Sequence, residues 1–427
     1  MARSKQRCVV MAVNSIRQGF QLGRFWVGSF WLLAFILAFV VRSSYGYGAG
    51  AIALAGILSL FTWRQMPPLS QATRQWSLLL LVYVGLMLLF LYAGDEPIGA
   101  YERLGRYLLA VPLVIAIWRW RPSMHCYVIS LVLGIAAAFM VVFIARVIQG
   151  KGIGSGYGYQ NQIQYSDMVM IMGTAALFAS FAYRRFGLSW WLLHAATLLA
   201  LVGAFLTGGR GGWLVLLPTM ALYIAAQEGG KRLKTAIVML LGVSAFIALL
   251  CSIPQLHISG RVMQIWYDIQ QFQSGNAHSS QGARLAMWQC SWHLFAEQPW
   301  LGLGSELKQM MIEAADQGFC ATAVKGFDHV HNDFLDIFVR YGLLGGTATL
   351  LMYAYPAYLY LRALRFPLTA EQRTMAWSGI AVCAAFYTCS MSNAILAHNI
   401  TSVFFLLFNA YLITGLGKRP IPIGTHV

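Results

Sequence analysis

The sequence predicts an all-α polytopic membrane protein of about twelve transmembrane helices with one long helical loop, and three observations support this. Hydrophobic residues make up 59% of the chain and charged residues 10%, with a mean hydropathy of +0.62, so most of the molecule has lipid as its solvent. Crossing the hydrocarbon takes about 20 predominantly apolar residues. Twelve candidate segments run approximately over 25–41, 49–63, 76–93, 104–118, 125–145, 163–182, 188–206, 212–226, 235–253, 332–361, 374–395 and 399–417. Between the ninth and tenth, residues 254–330 form the only long hydrophilic stretch, so residues 1–427 read as a single integral membrane domain with one elaborated loop.

Before the first segment lie Arg3, Lys5, Arg7, Arg17 and Arg24, with no compact apolar core and no small-residue cleavage site. This stretch therefore reads as a surface segment on the inner side rather than a signal peptide. With the N-terminus cytoplasmic, the inner connections hold Arg64 and Arg74; Arg119 and Arg121; Arg184 and Arg185; Lys231, Arg232 and Lys234; and Arg362, Arg365 and Arg373. Lys418 and Arg419 follow the last segment, which puts nineteen of the 30 basic residues inside, both termini in the cytoplasm and the long loop outside. The net charge of +16 is thus mainly a topology signal, with attraction to anionic lipid as a second use, and it gives no reason to invoke nucleic acid. Among the acids only Glu228 and Glu371 fall inside, so the outer side carries a mixed-charge surface.

Arginine is the residue of interest on that surface, because its fork of donors matches phosphate oxygens and it stays charged at any relevant pH. Arg146 ends the fifth segment, just before the Gly/Tyr-rich run Gly152 to Tyr159 that leads to Gln160-Asn161-Gln162. Arg210 sits in a very short connection between segments seven and eight, flanked by Gly208, Gly209, Gly211 and Gly212, where bare backbone could approach a phosphate. The competing reading of each is an interfacial arginine reaching for lipid headgroups.

Inside the loop, Val262, Ile265, Trp266, Ile269 and Phe272 recur at helical spacing, as do Leu285, Trp288, Trp292 and Phe295, which predicts two amphipathic helices on the outer face of the bundle. Arg284 opens the second, while Arg261 and Lys325 add further cations. Cys290 and Cys320 lie in this loop, where an oxidising compartment would allow a disulfide. The other five cysteines read as apolar filler, and no cysteine spacing suits zinc. No repeat of 20–50 residues is present.

The loop meets the tenth segment at His331-Asn332-Asp333-Phe334-Leu335, with Gly342 beyond. The positive end of a helix dipole disfavours imidazolium, so a neutral His331 able to take a proton is expected, and the same helix amides can bind an anion. On the continuing helix His331, Leu335 and Phe338 would share one face, and Asp336 and Arg340 are spaced for a structural ion pair.

His331-Asn332 with Leu335 and Gly342 resembles the His-(Ser/Asn)-x-x-Leu-x6-Gly signature of bacterial O-antigen ligases and their relatives, the O-antigen polymerases and O-linked protein oligosaccharyltransferases. Thr207-Gly208-Gly209-Arg210-Gly211-Gly212 is similar to that family's Thr-x-Ser-Arg-Gly-Gly element, with Gly209 in place of serine. Arg284-x-x-x-Trp288 followed by Pro299, Gly302 and Gly304 resembles its loop segment. The resemblance implies a GT-C-like glycosyltransferase of the bacterial inner membrane, acting in lipopolysaccharide biosynthesis. It would move a glycan from undecaprenyl diphosphate to a lipid A-core sugar at the periplasmic face, with no cofactor, metal or ATP. On this reading His331 is the base or acceptor-orienting group, and Arg210 and Arg284 grip the diphosphate. Arg146, Asn332 and Trp288 are further candidates for substrate contact.

A chain ending about ten residues after its last helix favours the ligase over the protein oligosaccharyltransferases, and the polymerase is the runner-up because only its acceptor differs. Transport of a lipid-linked sugar would place polar groups near the midplane, whereas the candidates here cluster at the outer surface. A metal-dependent enzyme using Asp95 and Glu96 would lack any Asp-x-Asp motif, and a solvated turn explains those acids as well.

Overall fold

The computed structural model describes residues 20–417 apart from 63, 65, 153–156, 158 and 255–257, and the described residues are helical with no strand. The basic segment with Arg3, Lys5, Arg7 and Arg17, the tail residues Lys418 and Arg419, most of the run Gly152 to Tyr159, and the side chains of Arg261, Val262 and Ile265 lie outside them.

All twelve apolar segments are helical. They become α1 (Phe20–Ile36), α2 (Ser44–Leu60), α3 (Gln71–Ala93), α4 (Ile98–Trp120), α5 (Met124–Phe143), α6 (Gln162–Ala179), α7 (Leu188–Thr207), the broken pair α8 (Arg210–Trp213) and α9 (Leu216–Ala225), and α10 (Lys231–Cys251). The loop holds α11 (Ile258–Gln273), α12 (Ser280–Glu297) and α13 (Leu307–Asp316), followed by α14 (Asp333–Ala363), α15 (Ala370–Ser390) and α16 (Asn399–Leu416). Among the described residues seven helices, α3, α5, α6, α7, α10, α14 and α16, are long and apolar enough to cross a membrane, so the protein is an all-α, multi-pass membrane protein. Of the other five segments, α1, α2 and the α8–α9 pair are apolar but shorter. The first segment, expected over 25–41, stops at Ile36 because the apolar residues Val40 and Val41 lie in a turn that closes on Ser43 in the left-handed region.

Helices α6 and α16 are the most enclosed, whereas α10 is largely exposed along its sides and packs on α9, α11 and, through Phe246 and Leu250, on Phe205 of α7. The loop has its own apolar core, in which Ala286, Met287, Cys290 and Leu294 of α12 meet Leu303, Leu307, Met311, Val324 and Val330. A Cys290–Cys320 disulfide crosses that core. The buried face of α12 is therefore rotated from the expected stripe: Trp288 and Phe295 lie at its margin and Trp292 is 70% exposed. Small residues at 282, 283 and 286 allow the close approach that tryptophans would block.

The loop is fastened to α14 through backbone. At Gly342 the helix kinks, with φ +61° and ψ −166°. The turn Pro299 to Gly304 fits into the kink: Leu343 N–H donates to the Pro299 carbonyl (2.8 Å), Leu344 N–H to the Trp300 carbonyl (3.4 Å), and Leu303 N–H to the Val339 carbonyl (2.9 Å). Gly302 is left-handed, and a Cβ there would strike the backbone of Arg340 and Gly342. Glu96 closes the turn from the other side, accepting the Ser305 N–H at 3.1 Å. The expected Asp336–Arg340 ion pair forms (3.2 Å), and the guanidinium also donates to the carbonyls of Gly304 (2.9 Å) and Asp328 (3.1 Å).

Gly342→Ala places a Cβ in a backbone region that costs a non-glycine residue about 1–3 kcal/mol and drives it into the Trp300 carbonyl. The expected outcome is a lower Tm together with rapid proteolysis within 254–330. Gly318→Ala, also at positive φ but facing open space, should show a smaller drop and a protected loop.

Candidate active site

Asn332 is the N-cap of α14, its Oδ1 accepting from the N–H groups of Phe334 (3.0 Å) and Leu335 (3.3 Å). His331 therefore precedes the helix instead of sharing a face with Leu335 and Phe338, and its φ of +53° turns the ring away from the helical register. A left-handed non-glycine residue persists only where its surroundings hold it. Here Asp336 Oδ1 accepts the Val330 N–H (3.2 Å), and Arg340 grips the Asp328 carbonyl.

The His331 ring lies edge-on to Phe327 (5.4 Å) and against His329 (4.1 Å), which in turn faces His398 (5.8 Å). His329 Nδ1 pairs with Asp328 Oδ1 at 2.5 Å, and that contact lowers the Asp328 carboxyl below its usual range. Among the described residues, His331 Nδ1 and His329 Nε2 are buried without a hydrogen-bond partner. Burial, reinforced by His329, Arg284 and His398, lowers His331 from 6.5 to about 3. Burial first, then His329, lowers His398 to about 4. Both shifts favour the neutral imidazole, with burial as the largest cause.

Arg284 lies in the first turns of α12, within electrostatic reach of His331, Asp167 and Arg210. Arg210 begins α8 and pairs through Nη2 with Asp268 of α11 (3.3 Å), both side chains nearly enclosed, while its Nη1 is buried without a partner. Gly209 and Gly212 pack against Ser166 of α6, and Gly211 against Ser392, so these glycines let α8 sit close to its neighbours. Trp288, one turn beyond Arg284, packs on the loop core with Nε1 buried and unpartnered. Arg146 lies in the π turn that ends α5, where Nη1 donates to the Lys151 carbonyl (2.7 Å), and no contact among the described residues ties it to His331, Arg284 or Arg210.

Three groups that the motifs did not single out complete the site. Asp333 accepts from Ser390 Oγ (2.7 Å) and the Ile395 N–H (2.8 Å), anchoring the α15–α16 turn that brings His398 to the imidazole cluster. Asp167 accepts from Asn393 Nδ2 (2.9 Å) in the same turn. Asp268 fixes Arg210. The available sequence signal was an acid within an otherwise apolar segment, which marks a site by default; Asp167, in the sixth segment, shows it most clearly.

Comparison with known proteins finds the same likeness as the motifs. An uncharacterized protein of Haemophilus influenzae is 21% identical over 389 residues, covering 89% of this chain and 95% of that protein. An O-antigen ligase of Escherichia coli is 24% identical over 220 residues, half of this chain and half of that ligase's length. Residues 195–350, the stretch that holds Arg210, Arg284 and His331, match the O-antigen ligase family model.

Proposed function

We propose that this protein is an O-antigen ligase of the bacterial inner membrane that transfers a glycan from undecaprenyl diphosphate to a lipid A-core sugar hydroxyl at the periplasmic face. The observation that carries the reading is His331, whose Nδ1 is buried without a partner among the described residues, with Arg284 and then Arg210 as successive electrostatic neighbours. A diphosphate leaves without a strong acid if its developing charge is neutralised, and fixed guanidinium groups do that. The acceptor oxygen forms its bond to the anomeric carbon as the carbon–oxygen bond to the diphosphate breaks, its electron pair going to the diphosphate and the hydroxyl proton to His331. An oxidising compartment for the loop is supported by the Cys290–Cys320 disulfide. No step uses a metal or ATP. The polymerase reading shares this donor chemistry and differs only in taking a second lipid-linked glycan as acceptor.

A base with a pKa near 3 is uncharged but weak. Bound diphosphate would screen Arg284 and add negative charge beside the ring, both of which raise the basicity of His331. The donor thus activates the base that consumes it.

Purified protein supplied with lipid-linked glycan and lipid A-core, in EDTA and without ATP, should form the glycolipid. His331→Ala should lower the rate by about 100- to 10,000-fold, the range for a positioned base, with Tm retained. Arg284→Lys should lose more rate than a conserved charge would suggest, because a fork is replaced by a point charge. Retention of anomeric configuration would sink single-step displacement, and transfer only to a second lipid-linked glycan would select the polymerase.

The imidazoles also set an acid limit. A histidine kept neutral by the fold takes up its proton only in the unfolded chain, so stability is full above about 6.5 and falls as pH drops toward the folded values of about 3 for His331 and 4 for His398. Thermal melts should show Tm declining between pH 6.5 and 4, and His398→Gln should flatten part of that slope.

A further inference from the structure

The mechanism leaves unused a cavity of about 210 Å³ between the His331-side ends of α2, α4 and α16. Its polarity is graded. Ser43, Arg106 and Asn399 line one end, and Leu113 and Leu406, each seven residues further along its helix, line the other. Seven residues of helix rise about 10 Å, so a charged mouth leads into an apolar slot. Arg106 is oriented by Ser402 Oγ, to which Nη1 donates at 3.0 Å. Gly46 and Gly50 front the slot, and no atom lies within 4 Å of where their Cβ would stand.

The cavity also occupies a definite place relative to the site. Asn399 follows His398, which senses Arg103 and Arg106 on one side and His329 on the other. His331 senses His329, His398 and Arg284, and Arg284 senses Arg210. Electrostatic neighbours therefore run in sequence from Arg210 through Arg284, His331 and His398 to Arg106 and its slot. Direct displacement requires nucleophile and leaving group on opposite sides of the anomeric carbon. If the diphosphate occupies the arginine pair, the acceptor comes from the Arg106 end.

We propose that this cavity anchors the acceptor as an anionic glycolipid, with a headgroup phosphate on Arg106 and an acyl chain in the slot toward Leu113 and Leu406. The proposal rests on the transferase reading for the acceptor's identity, while its charge and amphipathic character follow from the cavity. An unbranched acyl chain and a phosphate suit a narrow apolar slot with one guanidinium at its mouth, whereas the donor's diphosphate is already matched by two arginines elsewhere.

The test uses the full chain in nanodiscs with two readouts: direct binding of lipid A-core, phosphorylated and dephosphorylated, by native mass spectrometry, and initial transfer rates with each substrate varied in turn. Arg106→Gln removes the charge. Gly46→Leu fills the slot with a residue that α2 tolerates better than glycine, so loss of fold does not confound it. A charge-assisted contact accounts for about tenfold or more in affinity. Both variants should bind lipid A-core about tenfold more weakly and raise the acceptor KM by a similar factor, with the donor KM unmoved, and dephosphorylation should weaken wild type but not Arg106→Gln. Unchanged lipid A-core binding in both variants, or a rise in donor KM instead, would overturn the proposal. Variant-sensitive binding by a wild type that transfers nothing would keep the site and reject the ligase reading.

Discussion

The rest of the site depends on one buried guanidinium. Arg340 lies in α14 where neither lipid nor water can solvate it, so its donors must end on protein acceptors. Asp336 alone would leave a buried ion pair of uncertain net benefit, since desolvation consumes much of the Coulomb gain. The added bonds to the carbonyls of Gly304 and Asp328 satisfy the fork and join two pieces of the loop to α14 at one point. The kink at Gly342 obeys the same accounting. It frees the N–H groups of Leu343 and Leu344 in surroundings where an unpaired amide costs several kcal/mol, and the loop turn at Pro299 and Trp300 takes them. The loop is therefore continuous in hydrogen bonding with the helix that presents His331.

Buried acids extend this logic to the remaining segments. Asp333, two residues beyond His331, captures the turn that carries His398. Asp268 captures Arg210 from the loop helix α11. Each acid needs hydrogen-bond donors that its own helix cannot supply, and each finds them on a distant segment. Arg210 accordingly has two faces: its Nη2 holds α11 in place, while its buried Nη1 has no partner among the described residues and on the proposed reading meets the diphosphate. A lysine there would keep the charge but could not reach in both directions.

Helix positions were legible because lipid imposes a single strong rule, apolar length, and every segment drawn from it is helical. The errors lie where that rule has no force. Val40 and Val41 are apolar but occupy a turn, so the first segment was drawn too far along the chain. His331 was read onto the helix because periodicity carries no information about which residue caps it, and Asn332, with an oxygen of the right reach, takes that place. On α12, counting large apolar residues favoured a stripe through Trp292, while close packing favours the small residues. The motif glycines were visible, but their work was not: Gly302 and Gly342 admit one backbone to another and Gly304 admits the Glu96 carboxylate, contacts between residues that sequence spacing does not relate. His398 was out of reach for the same reason, since 67 positions separate it from His331 and the Asp333 bonds to the α15–α16 turn help bring them together.

The electrostatics of the assembled site favour an order of events. Burial is the main reason His331 and His398 favour the uncharged form, and the field of Arg284 at His331 and of Arg103 and Arg106 at His398 adds to it. Protonating His331 in the empty site would add a cation to a cationic, desolvated place, and it is disfavoured accordingly. An anion at the arginine end reverses the sign of the argument. It cancels the field of Arg284, excludes water from the loop side and makes the imidazole the natural destination for a proton from the other direction. Under the proposed transfer, proton abstraction by His331 is then unfavourable until the donor is in place. On the proposed reading, the same field that would attract an anionic donor keeps His331 a weak base until that donor has arrived.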